Sequence, residues 1–269
     1  MNSLWVSLST YGGVTTREAL DVFWAAGIRH VELAIGVKPS SDTVDVLRHY
    51  QQQGMQYRAH HALVWQEHRS FNLAESFDSS YFERLADWMA AMEITAYSVH
   101  AGSVSASDQG LDTSDRFLHN LEQLGELCRD RAIRLGVETM YPSPSDQAHH
   151  YWLQNTAQIE QLLQVMPEIE LVVDLAHLNL WHPCSTPAKL HLFRLARDPV
   201  LEIHISDNDG ERDTHTTITE KTWWVPHMAS CPLDVPIVLE SRMNRHSADQ
   251  VRQQVQRVQA ILDRRTGDE

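Results

Sequence analysis

Residues 201–215, LEIHISDNDGERDTH, are the stretch that decides the fold. The stretch opens with the alternating apolar residues of a buried strand, reaches His204, and then enters a loop rich in acidic residues. Imidazole and carboxylate groups are the ligands that divalent cations such as zinc prefer. A solvated acidic loop beside one buried histidine is the alternative, and the rest of the chain distinguishes the two.

The pattern of an apolar strand followed by a polar loop recurs along the chain. The predicted strands are residues 4–9, 29–35, 55–63, 94–100, 133–139, 170–175, 201–205 and 236–239. Predicted helices alternate with them at 15–26, 41–54, 79–92, 115–132, 155–167, within 187–196, and at 248–264. This alternation implies right-handed βαβ units, and eight of them form an α/β fold of the (β/α)8 TIM barrel type.

An open doubly wound sheet is the alternative architecture. It normally carries a glycine-rich phosphate loop after its first strand, and Gly12 with Gly13 is a weak match to that motif. No linker-like segment interrupts the chain, so we expect a single domain over residues 1–269.

Composition excludes several classes of protein. Apolar residues make up 42% and charged residues 22% of the 269 residues, as in an ordinary globular protein. The net charge of −14 repels phosphate backbones and disfavours duplex nucleic acid as a partner. Three scattered cysteines indicate a reducing compartment, and the sequence shows neither a signal peptide nor a membrane span. We therefore expect a cytoplasmic protein with a small-molecule substrate, and the sequence leaves homo-oligomerisation open.

Seven of the eight predicted strands end at an acid or an imidazole. These residues are Glu32, the pair His60 and His61, His100, Glu138, Asp174, His204 and Glu240. The carboxyl ends of barrel strands converge on one face, where the carboxylates would repel one another if left alone. A bound cation removes that conflict.

These residues resemble those of the xylose isomerase-like TIM barrels, which include sugar isomerases and epimerases and the endonuclease IV branch. The resemblance extends over nearly the whole chain. It implies one divalent metal held by a quartet from strands five to eight. The corresponding residues are Glu138, Asp174, His204 and Glu240.

The endonuclease IV branch has further ligands, which the segments HHAL, FNLA, VHAGS, DLAH and DTH resemble. The resemblance implies additional metal ligands at His61, His100, His177, Asp213 and His215. Side chains alternate along a strand, so only one of His60 and His61 should face the site, and His61 is the predicted ligand. Nine ligands exceed the needs of one ion, so we expect one to three zinc, manganese or iron ions. By resemblance, Glu138 is the bridging carboxylate.

Two functions fit this set of residues. A multinuclear site favours a metal-dependent phosphoesterase acting on a small phosphodiester or nucleotide-like molecule, and the ligand count places this hypothesis slightly ahead. The alternative is a mononuclear sugar or sugar phosphate isomerase or epimerase, in which Glu138 and Glu240 exchange a proton next to a carbonyl group. A non-catalytic binding protein is the weakest hypothesis, because it would not need a complete metal quartet.

Five residues on predicted loops are candidates for contacts with substrate. Trp65, Trp181 and Trp223 could stack on a sugar or a base, although large aromatic residues also commonly cover a barrel mouth. Arg212 and Lys221 could bind substrate anions, and solvated surface charges are the alternative for both.

Overall fold

The strands form a closed parallel barrel. A computed structural model describes residues 4–63, 65, 67, 69–105, 111–142, 149–181, 189, 191, 200–230 and 235–263. The barrel strands are β1 (Leu4–Ser7), β2 (His30–Leu33), β3 (Gln56–His60), β4 (Ala96–His100), β6 (Arg134–Glu138), β8 (Glu170–Asp174), β9 (Val200–Ile205) and β10 (Ile237–Leu239). Their order is β1-β10-β9-β8-β6-β4-β3-β2, and β2 pairs back onto β1. This closure confirms the predicted (β/α)8 TIM barrel.

Helices follow the strands on the outside of the barrel. They are α1 (Thr16–Ala26), α2 (Thr43–Gln52), α3 (Ser79–Ala91), α4 (Leu111–Arg129), α5 (Thr156–Val165), α6 (Leu175–Asn179) and α7 (Ala248–Asp263), with 3-10 turns at Leu8–Tyr11 and Val225–Ser230. The helix predicted within 187–196 lies largely outside the described residues. Within the described ranges, no helix combines the length and the apolar character needed to cross a membrane.

The start of α1 shows how local sequence sets a helix boundary. The Thr15 hydroxyl accepts a hydrogen bond from the Glu18 amide, while the Glu18 carboxylate accepts one from the Thr15 amide. Gly27 ends the helix with a φ of 89°, a left-handed conformation that glycine adopts without strain. Thr15 and Glu18 thus form a capping box, and both features agree with the predicted helix at 15–26.

A small antiparallel ribbon lies outside the barrel. It pairs β5 (Ser103–Ser105), which follows β4, with β7 (His149–Tyr151), which follows β6. No strand was predicted between the strand at 94–100 and the helix at 115–132, or between the strand at 133–139 and the helix at 155–167. Strands of three residues are too short to show an alternating pattern, so their pairing depends on the tertiary fold.

A bulge in β9 depends on Gly136 of β6, and β8 lies between these two strands in the barrel. The register between β8 and β9 shifts between Leu171 and Val172, which leaves Leu201 without a partner residue. A Cβ atom on Gly136 would lie 2.7 Å from Leu201 Cδ2, 2.9 Å from Val172 Cγ2 and 3.0 Å from Leu201 Cβ. The missing side chain of Gly136 therefore creates the space that the bulged leucine fills.

We expect Gly136→Ala to destabilise the fold by about 1–3 kcal/mol, because overpacking forces its neighbours to shift. Gly125→Ala, in α4, is the matched control, since a Cβ there meets only Leu135 Cδ2, at 4.0 Å. That change should raise stability by about 0.4–1 kcal/mol. Urea unfolding measures both, and equal midpoints for the two variants would contradict the packing argument.

Candidate metal centre

Imidazole and carboxylate side chains converge at the carboxyl ends of six barrel strands. They are His60, His100, Glu138, Asp174, His204 and Glu240. Strand register brings them to a common level, since His100 lies opposite Glu138 and Asp174 lies opposite His204. All are buried except His100, whose side chain is 33% exposed. The face where barrel active sites are built therefore holds a compact group of metal-ligand residue types.

The predicted quartet comes together as one group. Glu138, Asp174, His204 and Glu240 each offer a ligand atom, and these atoms all lie within 4.8 Å of one another. His204 Nδ1 is 3.3 Å from Glu138 Oε1 and 3.6 Å from Glu240 Oε2. Asp174 caps α6, because its Oδ1 accepts a hydrogen bond from the His177 amide. Its Oδ2 has no hydrogen-bond partner and is the oxygen that could bind a metal ion.

A second group shares Glu138. His60 Nε2 lies 3.1 Å from His100 Nε2, and Glu138 Oε2 lies 3.1 Å from His100 Nε2 and 3.8 Å from His60 Nε2. One carboxylate thus borders both groups, which is the arrangement that a bridging ligand requires.

His60 occupies the position for which the sequence analysis chose His61. Alternation along β3 directs Arg58 and His60 to the barrel interior. His61 follows the strand in a left-handed conformation, with a φ of 42°, and its ring stacks on His100 with centroids 4.0 Å apart. His61 Nδ1 accepts a hydrogen bond from the His100 amide. The geometry therefore supports His60, rather than His61, as the candidate ligand of this strand.

A third group lies at the rim of the cluster. Asp213 Oδ2 is 3.1 Å from His215 Nε2 and 3.4 Å from His177 Nε2, and Asp213 Oδ1 has no hydrogen-bond partner. His215 Nδ1 is 3.9 Å from Glu240 Oε2, which joins this group to the quartet. Burial lowers the pKa of His215, but Asp213 and Glu240 offset this effect and raise it to about 9.

The loop after β9 is closed so that Asp213 and His215 return over the strand end. Asp207 and Thr216 pair through two backbone hydrogen bonds of 3.2 and 2.7 Å. Asn208 ties the loop to α6 by donating to the Ala176 carbonyl at 2.8 Å. These bonds place the DTH motif beside His177.

Hydrogen bonds fix which nitrogen of each histidine faces the cluster. His60 Nδ1 bonds to the Ser98 hydroxyl at 3.0 Å, and His177 Nδ1 bonds to the Thr139 carbonyl at 2.8 Å. Nε2 of His60 is therefore directed at His100 and Glu138, and Nε2 of His177 is directed at Asp213. In His204 it is Nδ1 that faces Glu138 and Glu240. Hydrogen bonding of the remote nitrogen is the usual way in which proteins orient metal-binding imidazoles.

Three charged residues of the barrel interior lie beneath these groups. Arg58 of β3 donates to Glu202 of β9, and Glu202 Oε1 lies 3.4 Å from His204 Nε2. Glu32 of β2 approaches the same nitrogen at 3.2 Å. Glu32 ends a predicted strand but had no predicted role, and Arg58 and Glu202 were not predicted from the sequence. The available signal for Glu202 was its spacing of two residues from His204, which places both on the same side of a strand.

The carboxylates of the quartet titrate differently. Burial by itself raises the pKa of Glu138, but His100 and His204 hold it well below its ordinary value. Burial likewise opposes ionisation of Glu240, whose pKa His204 nevertheless lowers to about 2. Burial raises the pKa of Asp174 to about 7, with a further contribution from Glu138. Glu138 and Glu240 are therefore ionised at neutral pH and able to accept a proton or bind a cation.

The side chains fit a divalent cation. Buried atoms without a hydrogen-bond partner concentrate in the cluster: Glu138 Oε2, Asp174 Oδ2, His204 Nδ1 and Asp213 Oδ1. Leaving such atoms unpaired in a buried site is costly, and a cation would satisfy several of them at once. Oxygen and imidazole donors without cysteine suit zinc, manganese or iron.

The residues predicted to bind substrate lie in different environments. Trp181 is buried and donates to the Met140 carbonyl at 2.7 Å, and buried Trp65 packs against aromatic residues of α3. Both rings thus belong to the core. Trp223 is half-buried and donates to the Leu175 carbonyl at 2.8 Å. Arg212 and Lys221 are exposed, and their contacts with substrate stay predictions.

Fold and cluster together define a (β/α)8 barrel with a candidate divalent-metal centre at the carboxyl ends of its strands. The chain belongs to the xylose isomerase-like TIM barrel family, whose sequence profile matches residues 24–260. This match confirms the resemblance found in the sequence. No functionally curated protein is significantly similar to the chain in sequence.

Solved structures of similar fold include sugar epimerases. A D-tagatose 3-epimerase-like protein superposes with a TM-score of 0.75 at 14% identity, covering 99% of this chain and 100% of that chain. An L-ribulose 3-epimerase gives a TM-score of 0.74 at 11% identity, covering 99% and 96%. A putative xylose isomerase from Rhodospirillum rubrum gives 0.72 at 17% identity, covering 97% and 99%. At these identities the similarity establishes the fold alone.

Proposed function

We propose that the protein is a divalent-metal-dependent enzyme that moves a proton next to the carbonyl group of a small sugar, as an isomerase or epimerase. One observation carries this proposal: the quartet of Glu138, Asp174, His204 and Glu240 forms one buried group with two ionised glutamates. The sugar epimerases among the similar structures add support, and they favour this alternative over the phosphoesterase that the sequence analysis placed slightly ahead.

The two glutamates supply the proton transfers. One of Glu138 and Glu240 removes a proton from the carbon next to the carbonyl, and the electron pair of that C–H bond moves to the carbonyl oxygen. Both glutamates are ionised in the free protein, so the other glutamate first takes up a proton from solvent and then donates it to the same carbon from the opposite face, which inverts the configuration. The carbonyl group re-forms, and the first glutamate releases its proton to solvent. In an isomerase the first glutamate instead returns its proton to the neighbouring carbon while a proton moves between the two substrate oxygens, so that ketone and aldehyde exchange.

Asp174 and His204 would complete the hold on a divalent cation together with the two glutamates. Such a cation, when bound, stabilises negative charge on the substrate oxygens. Burial of the quartet excludes water and strengthens these electrostatic interactions. The rim residues His177 and Asp213 then stand where they can bind substrate hydroxyl groups.

A multinuclear phosphoesterase is the second candidate, and the charge of the barrel interior favours it. The buried carboxylates in the described part of the interior are Glu32, Glu138, Asp174, Glu202 and Glu240, and Arg58 lies among them. Five carboxylates and one guanidinium carry a charge of −4 when all are ionised, which two divalent cations would neutralise. The group formed by His60, His100 and Glu138 provides a second set of ligands.

Metal content and two activity assays separate these functions. We expect purified protein to interconvert ketohexoses, to lose that activity with a chelator, and to regain it with Mn²⁺ or Zn²⁺. Hydrolysis of a chromogenic phosphodiester is the companion assay. Two or three tightly bound ions with phosphodiester hydrolysis, both reduced by Asp213→Ala, would establish the second candidate. Metal-loaded protein without sugar turnover would contradict the first.

A further inference from the structure

Glu32 is a fully buried carboxylate without a compensating arginine or lysine. Its exposed fraction is 0%, and neither carboxylate oxygen has a hydrogen-bond partner. Within the described ranges it forms no ion pair with a lysine or arginine, whereas Glu202 in the same layer is paired with Arg58. A buried carboxylate in this state is costly, so its contact with His204 needs an explanation.

The contact lies on the Nε2 side of the His204 ring, away from the quartet. Glu32 Oε2 lies 3.2 Å from His204 Nε2, and Glu202 Oε1 lies 3.4 Å from the same nitrogen. An ionised carboxylate only accepts hydrogen bonds. Glu202, which Arg58 engages, therefore accepts the hydrogen bond from His204 Nε2, so that Nε2 carries a proton. In the neutral ring the lone pair is then on Nδ1, which faces Glu138 and Glu240.

We propose that Glu32 is a positioning residue for His204. Its carboxyl group lies 3.2 Å from Nε2 and so holds the ring with the Nδ1 lone pair directed at the quartet. Glu202 is shared with Arg58 and lies farther from Nε2, so Glu32 is the nearer carboxyl group to this ring. Remote carboxylates of this kind raise the basicity of a metal-binding imidazole and fix its orientation.

This role deepens the proposed function, since it presumes that the quartet binds a divalent cation. A different role is that of a ligand, because Glu32, His60 and His204 also offer atoms within 4.8 Å of one another. A cation bound by Glu32 would replace its contact with His204 Nε2, so both roles cannot hold at once. Counting bound ions distinguishes the two.

Two variants at this position test the inference in the full-length protein. Glu32→Leu removes the acceptor, whereas Glu32→Gln removes only the charge and keeps an oxygen that can accept from Nε2–H. The dissociation constant for Zn²⁺ is measured without substrate, by competition with a chromogenic chelator. We expect Glu32→Leu to weaken binding by about 10–100-fold and Glu32→Gln to weaken it less, with an unchanged number of ions in both.

Stability of the metal-free protein separates positioning from folding. Removal of a buried carboxyl group whose oxygens have no hydrogen-bond partner should leave the unfolding midpoint in chelator unchanged or higher. Unchanged Zn²⁺ affinity in Glu32→Leu, or the loss of one ion from the count in either variant, would overturn the inference. Wild-type protein that binds no Zn²⁺ would overturn the inference and the metal-dependent function together. Sugar turnover plays no part in this measurement, so a failed activity assay contradicts the proposed function alone.

Discussion

Replacing Glu138 by glutamine should lower sugar interconversion by about 10³-fold, because the amide cannot accept the substrate proton. We also expect this variant to bind fewer metal ions. Glu138 Oε1 faces His204 and Oε2 faces His100, so this residue borders both the quartet and the group that contains His60. We therefore expect Glu138→Gln to retain fewer ions than the wild type, measured by elemental analysis after dialysis alongside steady-state kinetics.

Asp209→Asn is the control for loss of a negative charge at the same face of the barrel. Asp209 is exposed in the loop after β9, where its Oδ1 accepts hydrogen bonds from the Glu211 and Arg212 amides. Asparagine retains that acceptor, so the loop should keep its shape. Turnover and ion content close to wild type are expected for this variant. A Glu138→Gln protein that matched it in both measurements would contradict the role of Glu138.

The barrel was predictable because both sides of its strands are buried. Such strands appear in the sequence as apolar runs, and each run ended at a polar residue where the chain reached the carboxyl face. Because each apolar run ends at a polar residue, the sequence alone predicted that these residues lie together at the carboxyl end of the barrel: Glu138, Asp174, His204 and Glu240. Register then brought these ends together, as the pairing of Asp174 with His204 shows.

The interior of the barrel was less predictable. Arg58 and Glu202 are 144 residues apart and stand within otherwise apolar strands, so their pairing follows only from closure of the barrel. The choice between His60 and His61 depended on a left-handed backbone conformation after β3, which no residue type at that position specifies. The polar layer beneath the candidate ligands therefore required the structure.

Arg58→Met should be the most destabilising single substitution in that layer. The guanidinium and the Glu202 carboxylate are 9% and 1% exposed, and loss of one partner leaves the other charge buried and unpaired. Breaking such a pair costs about 3–5 kcal/mol. The double variant Arg58→Met with Glu202→Leu should recover much of this loss, because apolar replacements of a buried pair are often tolerated. Arg17→Met, which breaks the exposed pair with Asp42, should leave urea unfolding nearly unchanged.

Acidification tests the origin of the Arg58→Met effect. In the wild type, burial raises the pKa of Glu202, but Arg58, together with His204 and Ser98, lowers it to about 2. The folded pKa lies below the unfolded value, so this stabilisation is present above about pH 4.5 and is lost as the pH falls towards 2.

Without Arg58, burial should raise the folded-state pKa of Glu202 above its unfolded value. The cost of the unpaired buried charge should therefore disappear as the pH falls through that raised pKa and the carboxylate becomes protonated. The difference in unfolding free energy between the two proteins, both measured in chelator, should therefore shrink from about pH 7 to about pH 4. A constant or growing difference would mean that Arg58→Met destabilises through lost packing rather than through an unpaired charge.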